Sequence, residues 1–234
     1  GEGEYAMERC SRRFGEMVNH PDYTTLFEGW EIGSSKYGGG TTNHAWSGGA
    51  ITVIGAELCG IKPIVVEPGI KTGLSIKIDN PAQLGADLVA GAVGALHKYE
   101  MPCLVLDMGT ANKISVLDSK GSYRGCTIGP GVRIALNALS NGASQLPAIP
   151  LDAPANAIGT NTIDSMQSGT VLGTAAMTEG LCARLEEALG EKVKTIVATG
   201  GISGAIIRHC RMDIIHDPNL ILDGLRFIFE KNKA

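Results

Sequence analysis

Apolar and polar residues of segment 62–234 change repeatedly between strand-like and helix-like spacing. Short continuous apolar runs predict buried strands, and apolar residues three and four positions apart predict helices. The predicted strands are Pro63–Glu67, Cys103–Asp107, Ile114–Asp118, Tyr123–Ile128, Thr195–Ala198 and Asp213–His216. The predicted helices are Ala82–Tyr99, Val132–Ser140, Thr162–Leu189, a helix that ends at Cys210, and Leu220–Glu230. Strands that alternate with helices in this way are typical of an α/β fold.

Residues 1–61 differ in composition from the rest of the chain. Seven of the eleven aromatic residues fall within the first 50 positions. Residues 1–61 contain four Lys or Arg and eight Asp or Glu, whereas residues 62–234 contain sixteen of each, so the net charge of -4 belongs to the first segment. Such asymmetry indicates two parts of different origin.

Composition excludes several classes of protein. A hydrophobic content of 44% and a charged content of 19% are typical of a globular protein. The net charge of -4 provides no general attraction to nucleic acid or to an anionic membrane, and the apolar runs are too short to span a bilayer. The start Gly-Glu-Gly-Glu does not resemble a signal peptide. Six scattered cysteines without a C-x-x-C pair predict reduced thiols in a cytoplasmic protein.

The strongest single motif is Asp107-Met108-Gly109-Thr110-Ala111-Asn112, which ends an apolar strand. Gly109 allows the backbone to approach a phosphate or an ion, and the amides and the Thr110 hydroxyl can donate hydrogen bonds to oxygens. The Asp107 carboxylate can hold a cation that offsets phosphate charge. Taken alone, the motif is equally consistent with a structural hairpin turn.

Further motifs precede and follow this loop in a fixed order. They are Pro68–Leu74, Asp79-Asn80-Pro81, Gly85-Ala86-Asp87, Gly129-Pro130-Gly131, Ile158–Thr162, Met166–Gly169, Ala198–Gly201 and Leu222–Leu225. The ordered set resembles type III pantothenate kinase, of the acetate and sugar kinase/actin superfamily. The resemblance implies an actin-like, ribonuclease-H-like α/β fold and a homodimer. It also implies transfer of the γ-phosphoryl group of ATP to pantothenate in coenzyme A synthesis, with Mg²⁺ and a monovalent cation, K⁺ or NH₄⁺.

The resemblance also implies roles for individual residues. Asp87 matches the general base for the pantothenate hydroxyl, and otherwise would only be an acidic residue at a helix start. Asp107 matches the aspartate associated with the monovalent cation. The matched phosphate- and nucleotide-binding residues are Gly109, Thr110, Gly200 and Gly201, of which the last two could also form a strand-to-helix turn. The matched pantothenate-binding residues are Gly85 and Thr162, of which Thr162 could instead cap a helix.

Three departures from the family pattern are visible. Leu88 stands where an arginine is usual, and Asn112 stands where a threonine is usual. The family opens with a first Asp-x-Gly phosphate loop, but no Asp-x-Gly occurs in this sequence before Asp107.

Residues 1–61 instead resemble a fragment of a bacterial α-L-rhamnosidase, through Tyr23–Trp30 and Gly38–Gly49. That resemblance implies Glu28 as general base and His44 as a substrate-binding residue. We therefore divide the chain into a foreign segment at 1–61, a remnant of the first kinase domain at 62–101, and a second kinase domain at 102–234. Two alternatives to the kinase are a non-catalytic dimerising remnant and a glycoside hydrolase fragment.

Overall fold

The computed structural model describes Glu8 and residues 64–233. The predictions for residues 1–61, including the rhamnosidase-like motifs and the replaced first domain, lie outside the described residues. The chain divides into two compact units, Gly1–Val65 and Val66–Ala234, and the second contains every described strand.

The second unit is built on a five-stranded mixed sheet. Its strands are β1 (Cys103–Met108), β2 (Ala111–Leu117), β3 (Tyr123–Pro130), β4 (Thr195–Thr199) and β5 (Ile215–His216), in the spatial order β3-β2-β1-β4-β5. The first three strands pair antiparallel, whereas β1, β4 and β5 run parallel. Parallel neighbours need crossover connections, which helices provide here. The predicted α/β fold and the predicted hairpin of β2 and β3 are confirmed.

Five α-helices of segment 64–233 cover the two faces of the sheet. They are α1 (Ala86–Lys98), α2 (Val132–Gly142), α3 (Thr162–Leu189), α4 (Ser203–Ile207) and α5 (Leu220–Asn232). Leu104, Leu106 and Met108 of β1 belong to one hydrophobic cluster with residues of α2, α3 and α4. Cys103 and Val105, which alternate with them, belong to a second cluster with residues of α1 and α5. Since both faces of β1 are covered, its apolar run has no polar alternation.

Helix α3 has the predicted bounds, and its ends show why. The Asn161 side chain accepts a hydrogen bond from the amide of Asp164, and Gly190 ends the helix with a left-handed φ of 71°. These are typical N-terminal and C-terminal caps. None of the described helices is long and apolar enough to cross a membrane.

Four predicted elements are shorter or absent. The predicted helix Ala82–Tyr99 is divided into a 3₁₀ turn, Pro81–Gln83, and α1, because the extended backbone of Leu84 interrupts it. The helix expected to reach Cys210 ends at Ile207, and the strand expected from Asp213 begins at Ile215.

The predicted strand Pro63–Glu67 is wrong for residues 64–67, which form no strand. Their apolar side chains are not buried, since Ile64 is 40% and Val65 is 60% exposed. The edge of β3 beside Tyr123 is paired instead with residues 75–77, through two backbone hydrogen bonds of 2.8 Å. An apolar run without a sheet edge to pair with has no partner for its backbone groups.

Helices α1 and α5 pack with their backbones in close approach. A Cβ atom on Gly224 of α5 would lie 1.8 Å from the carbonyl oxygen of Ala90, and one on Gly94 of α1 would lie 2.4 Å from the carbonyl oxygen of Leu220. The ammonium group of Lys98 also bridges Asp217 and Asp223 at 2.5 Å each, which fixes the end of α1 against the start of α5. The position of α1 on the sheet is therefore set by small residues and by this ion pair.

We expect Gly224→Ala to destabilise the protein by about 1–3 kcal/mol, because the new methyl group would have to separate two backbones. Gly173→Ala is the matched control, since nothing lies within 4 Å of its Cβ position and alanine favours a helix. Thermal denaturation should show a lower midpoint for the first variant and an unchanged or higher one for the second. Equal midpoints for both would contradict the close approach of α1 and α5.

Candidate active site

The candidate site lies where β1 and β4 end. These strands are parallel, with Asp107 opposite Thr199, so the turn after β1 and the loop after β4 meet at the same edge of the sheet. Ligands of α/β proteins commonly bind outside the carboxyl ends of parallel strands. The prediction that Asp107 lies at a strand end is confirmed, since it is the last residue but one of β1.

Asp107 and Asp87 are joined by a lysine. Lys113 lies directly opposite Asp107 in the antiparallel pair β1–β2. Its Nζ is 2.7 Å from Oδ2 of Asp107 and 2.5 Å from Oδ2 of Asp87, which comes from the first turn of α1. The side chains of Lys113 and Asp107 are each 15% exposed, whereas that of Asp87 is 51% exposed. The two predicted carboxylates are thus brought together, with one face of Asp87 open to solvent.

The ion pairs change the protonation equilibria of the site. Partial burial tends to raise the pKa of Asp87, but the hydrogen bond and charge of Lys113 and two backbone amides lower the pKa below its usual range. Burial tends to lower the pKa of Lys113, but hydrogen bonds with Asp107 and Asp87 raise it overall. Because each shift favours the charged form, Asp87 is a carboxylate and Lys113 an ammonium ion at neutral pH.

Gly85 determines where the Asp87 carboxylate lies. Gly85 is the N-terminal cap of α1, and no side chain caps the helix there. A Cβ atom on Gly85 would lie 2.6 Å from Oδ1 of Asp87, so the carboxylate turns back over the helix start. In this position it also interacts favourably with the helix dipole.

The turn between β1 and β2 is tight and closely packed. The amide of Gly109 donates to the carbonyl oxygen of Ala111 at 3.1 Å, and the amide of Gly131 donates to that of Thr110 at 3.1 Å. A Cβ atom on Gly131 would lie 2.4 Å or less from the carbonyl oxygens of Gly109 and Thr110. The start of α2 therefore rests directly on the predicted phosphate turn.

The loop after β4 approaches β1 equally closely. Gly200 has a φ of +94°, which favours glycine, and a Cβ atom there would lie 2.5 Å from the carbonyl oxygen of Met108. The amide of Ile202 donates to the same oxygen at 3.3 Å. Gly201 is exposed, with nothing within 4 Å of its Cβ position. The structure thus places the Gly200-Gly201 loop beside the turn that contains Gly109.

Thr162 lies apart from Asp87, Asp107 and Lys113, beside a separate cavity. It borders an open cavity of about 930 Å³ between α2 and α3, together with Asn112 of β2. Asn112 precedes Lys113 in the strand, so its side chain points to the opposite face of the sheet. The Oδ1 atom of Asn112 is buried without a hydrogen-bond partner among the described residues.

Lys113 was not predicted as a site residue. In the sequence it is only a charged residue between the Asp107–Asn112 motif and the predicted strand Ile114–Asp118. A signal was nevertheless present, because an antiparallel pairing across the Gly109-Thr110 turn places residue 113 opposite residue 107. Neighbours across a pair project to the same face, so a lysine there must lie near the Asp107 carboxylate.

Comparison with known proteins gives a consistent result. A family model for type III pantothenate kinase matches residues 49–184. A type III pantothenate kinase from Exiguobacterium sibiricum is 45% identical over 172 residues, which are 74% of this chain and 67% of that protein. One from Koribacter versatilis is 42% identical over 174 residues, which are 74% of this chain and 63% of that protein. The chain thus spans about two thirds of the length of these relatives.

A solved structure shares the fold. The crystal structure of a Baf family protein from Campylobacter jejuni superposes with a TM-score of 0.52 and 22% identity, over 72% of each chain. Together with the family match and the sheet order, this likeness confirms the predicted actin-like, ribonuclease-H-like fold. The sequence identities and the matched segment lead to one assignment: the chain belongs to the type III pantothenate kinase family.

Proposed function

We propose that this protein catalyses the ATP-dependent phosphorylation of pantothenate in coenzyme A synthesis. One observation carries the proposal: in a chain of this family, Asp87 and Asp107 meet beside the glycine turn that follows β1. That arrangement provides a carboxylate for an attacking hydroxyl next to backbone groups suited to phosphate. No finding favours the two alternatives, a non-catalytic dimerising remnant and a glycoside hydrolase fragment.

Asp87 is proposed as the general base. Its Oδ2 is held by Lys113, and the half-exposed carboxylate remains accessible to a substrate hydroxyl. As the hydroxyl oxygen bonds to the γ-phosphorus of ATP, its proton passes to Asp87 and the bond to the β–γ bridging oxygen breaks, which releases ADP. A base with a lowered pKa accepts the proton late in the reaction, when the bond to phosphorus is already forming. The rate therefore depends more on the position of the Asp87 carboxylate than on its basicity.

The loops are proposed to hold the reactants. Gly109 and Thr110 on one side, and Gly200 and Gly201 on the other, would face the phosphates of ATP. Gly85 and Thr162 are proposed to contact pantothenate. The polar residue Asn112, which borders the same cavity as Thr162, supports a polar ligand in that cavity.

Magnesium fits the site. Oδ1 of Asp107 is directed towards the phosphate turn, since a Cβ atom on Gly109 would lie 3.9 Å from it. Among residues 64–233, no three Asp, Glu, His or Cys residues form a metal cluster, and Mg²⁺ usually binds through one or two carboxylates plus substrate phosphates. Asp107 would hold the ion, which supplies neutralisation of phosphate charge.

A monovalent cation fits less well, because an ammonium group already contacts Oδ2 of both Asp107 and Asp87. A second univalent cation at these oxygens would meet the charge of Lys113 at close range.

We further propose a cytoplasmic homodimer. Helices α2 and α3 support a subunit contact, because both expose large apolar side chains. These are Ile134, Leu139, Ile163 and Met177, which are 43–48% exposed. Scattered exposed residues alone are ordinary, but four on two adjacent helices form a surface that a second copy could cover.

We expect the isolated chain to phosphorylate pantothenate slowly or not at all, and still to dimerise. Residues 1–106 contain no Asp-x-Gly, so one set of phosphate donors is missing. Losing comparable preorganised donors costs on the order of 10²–10³ in rate. A coupled assay of ADP release, with pantothenate and ATP, measures this directly. Turnover equal to that of the type III pantothenate kinase from Exiguobacterium sibiricum would refute the expectation.

Whatever turnover remains should be abolished by Asp87→Asn, because the amide cannot accept the hydroxyl proton. The matched control is Asp213→Asn, which removes the same charge from an exposed position outside the site. Formation of phosphopantothenate over long incubations is the measurement. Unchanged turnover in Asp87→Asn would remove this residue from its role, and equal losses in both variants would indicate a general effect of charge.

A further inference from the structure

Lys113 occupies the position between the two carboxylates of the site. It reaches Asp107 across the β-ladder and Asp87 across the gap between the sheet and α1. Its contact with Asp107, at 2.7 Å, is of the length expected for a charge-assisted hydrogen bond, and its contact with Asp87, at 2.5 Å, is shorter. Its side chain is 15% exposed, so its charge is screened less than that of a surface lysine.

The charge balance of the site depends on this one ammonium group. Without it, two carboxylates would face each other beside a turn that is proposed to bind phosphate, which is also negative. Like charges at such distances disfavour the ionised state of both groups. Among residues 64–233, the ion pairs of Asp87 and Asp107 involve Lys113 alone. The protein thus supplies its own single positive charge at this point.

A lysine ammonium group and a bound K⁺ or NH₄⁺ ion can each neutralise the charge of a carboxylate. Each brings one positive charge, and the ammonium group adds up to three directed hydrogen bonds. Two of the three N–H bonds of Lys113 are accounted for by Asp87 and Asp107. The third is left for solvent or for an oxygen of the substrate.

We propose that Lys113 replaces the monovalent cation in this protein, so that its site requires neither K⁺ nor NH₄⁺. The effect of this replacement on catalysis rests on the proposed function. Whether the site binds K⁺ or NH₄⁺ can be measured without any turnover. Lys113 therefore determines the monovalent-cation requirement of the site, and Oδ2 of Asp107 serves as the partner of a lysine rather than as the ligand of a monovalent ion.

Removing the lysine side chain should create the cation requirement that the unmodified chain lacks. Lys113→Met keeps an apolar stem of similar length and leaves Asp87 and Asp107 without a counter-charge. Potassium or ammonium can then bind between the carboxylates. Lys120→Met is the matched control, since Lys120 is an exposed residue in the turn of the same hairpin and makes no ion pair among the described residues.

The experiment measures thermal denaturation of the full chain in KCl, NH₄Cl and tetramethylammonium chloride at equal ionic strength. The unmodified chain and Lys120→Met should melt at the same temperature in all three salts. Lys113→Met should melt lower in tetramethylammonium and recover in K⁺ or NH₄⁺. At roughly 100 times the dissociation constant, the recovery should be on the order of 5–10 °C.

A second variant distinguishes loss of the counter-charge from general misfolding of Lys113→Met. In Lys113→Met combined with Asp107→Asn, one carboxylate is also removed, so the excess negative charge is smaller. This double variant should fold without potassium and show no recovery on adding it. Potassium-dependent melting of the unmodified chain would overturn the proposal, and so would a Lys113→Met variant that folds but ignores potassium.

Turnover distinguishes this inference from the proposed function. If ADP release is measurable, it should be equal in the three salts for the unmodified chain and should depend on K⁺ or NH₄⁺ in Lys113→Met. Loss of turnover that potassium fails to restore, in a variant whose melting does respond to it, would mean that Lys113 also contacts the substrate, and would overturn simple replacement. Absence of turnover in every variant and salt would count against the kinase activity, while the melting data would still decide the cation inference.

Discussion

The arrangement of the site depends on the burial of β1 on both faces. One face of this strand packs against α2, α3 and α4, and the other packs against α1 and α5. A charged side chain can therefore stand only where the strand leaves the core, which is at Asp107. Hydrogen bonding to β2 on one side and to β4 on the other then fixes which residues surround that carboxylate. Lys113 and the Gly200 loop owe their places to these two ladders.

Helix packing determines the position of Asp87, which lies across the site from β1. Asp87 reaches Lys113 only because α1 lies close to the sheet, and α1 is held there by its backbone contact with α5 at Gly94 and Gly224. The contact is far from the charges but determines their spacing. Gly85 completes the arrangement, since any larger residue would push the Asp87 carboxylate away from the helix start.

Much of this could be predicted from the sequence, for physical reasons that differ between elements. Helix α3 was predicted with its correct bounds because Asn161 and Gly190 are local caps. Asp87 and Asp107 were identified by motifs, and their approach to each other is a consequence of the fold. The strand expected at Pro63–Glu67 failed because strands depend on a partner edge, which residues 75–77 take.

Lys113 shows the limit of reading motifs along the chain. Its importance follows from strand register, and register is a relation between two segments rather than a property of either one. The cavity that joins Asn112 with Thr162 is likewise formed by residues far apart in sequence. Both features require knowledge of which strands and helices are neighbours.

The contact between Gly200 and the end of β1 also has a mechanical consequence. The backbone of the loop after β4 rests on Met108, and the start of α2 rests on Gly109 and Thr110, without side chains between them. Backbones in direct contact cannot slide or part without breaking the hydrogen bonds that join them. We therefore expect the two glycine loops and the start of α2 to move together, so that adaptation to ligands of different size would come from the side chains around them.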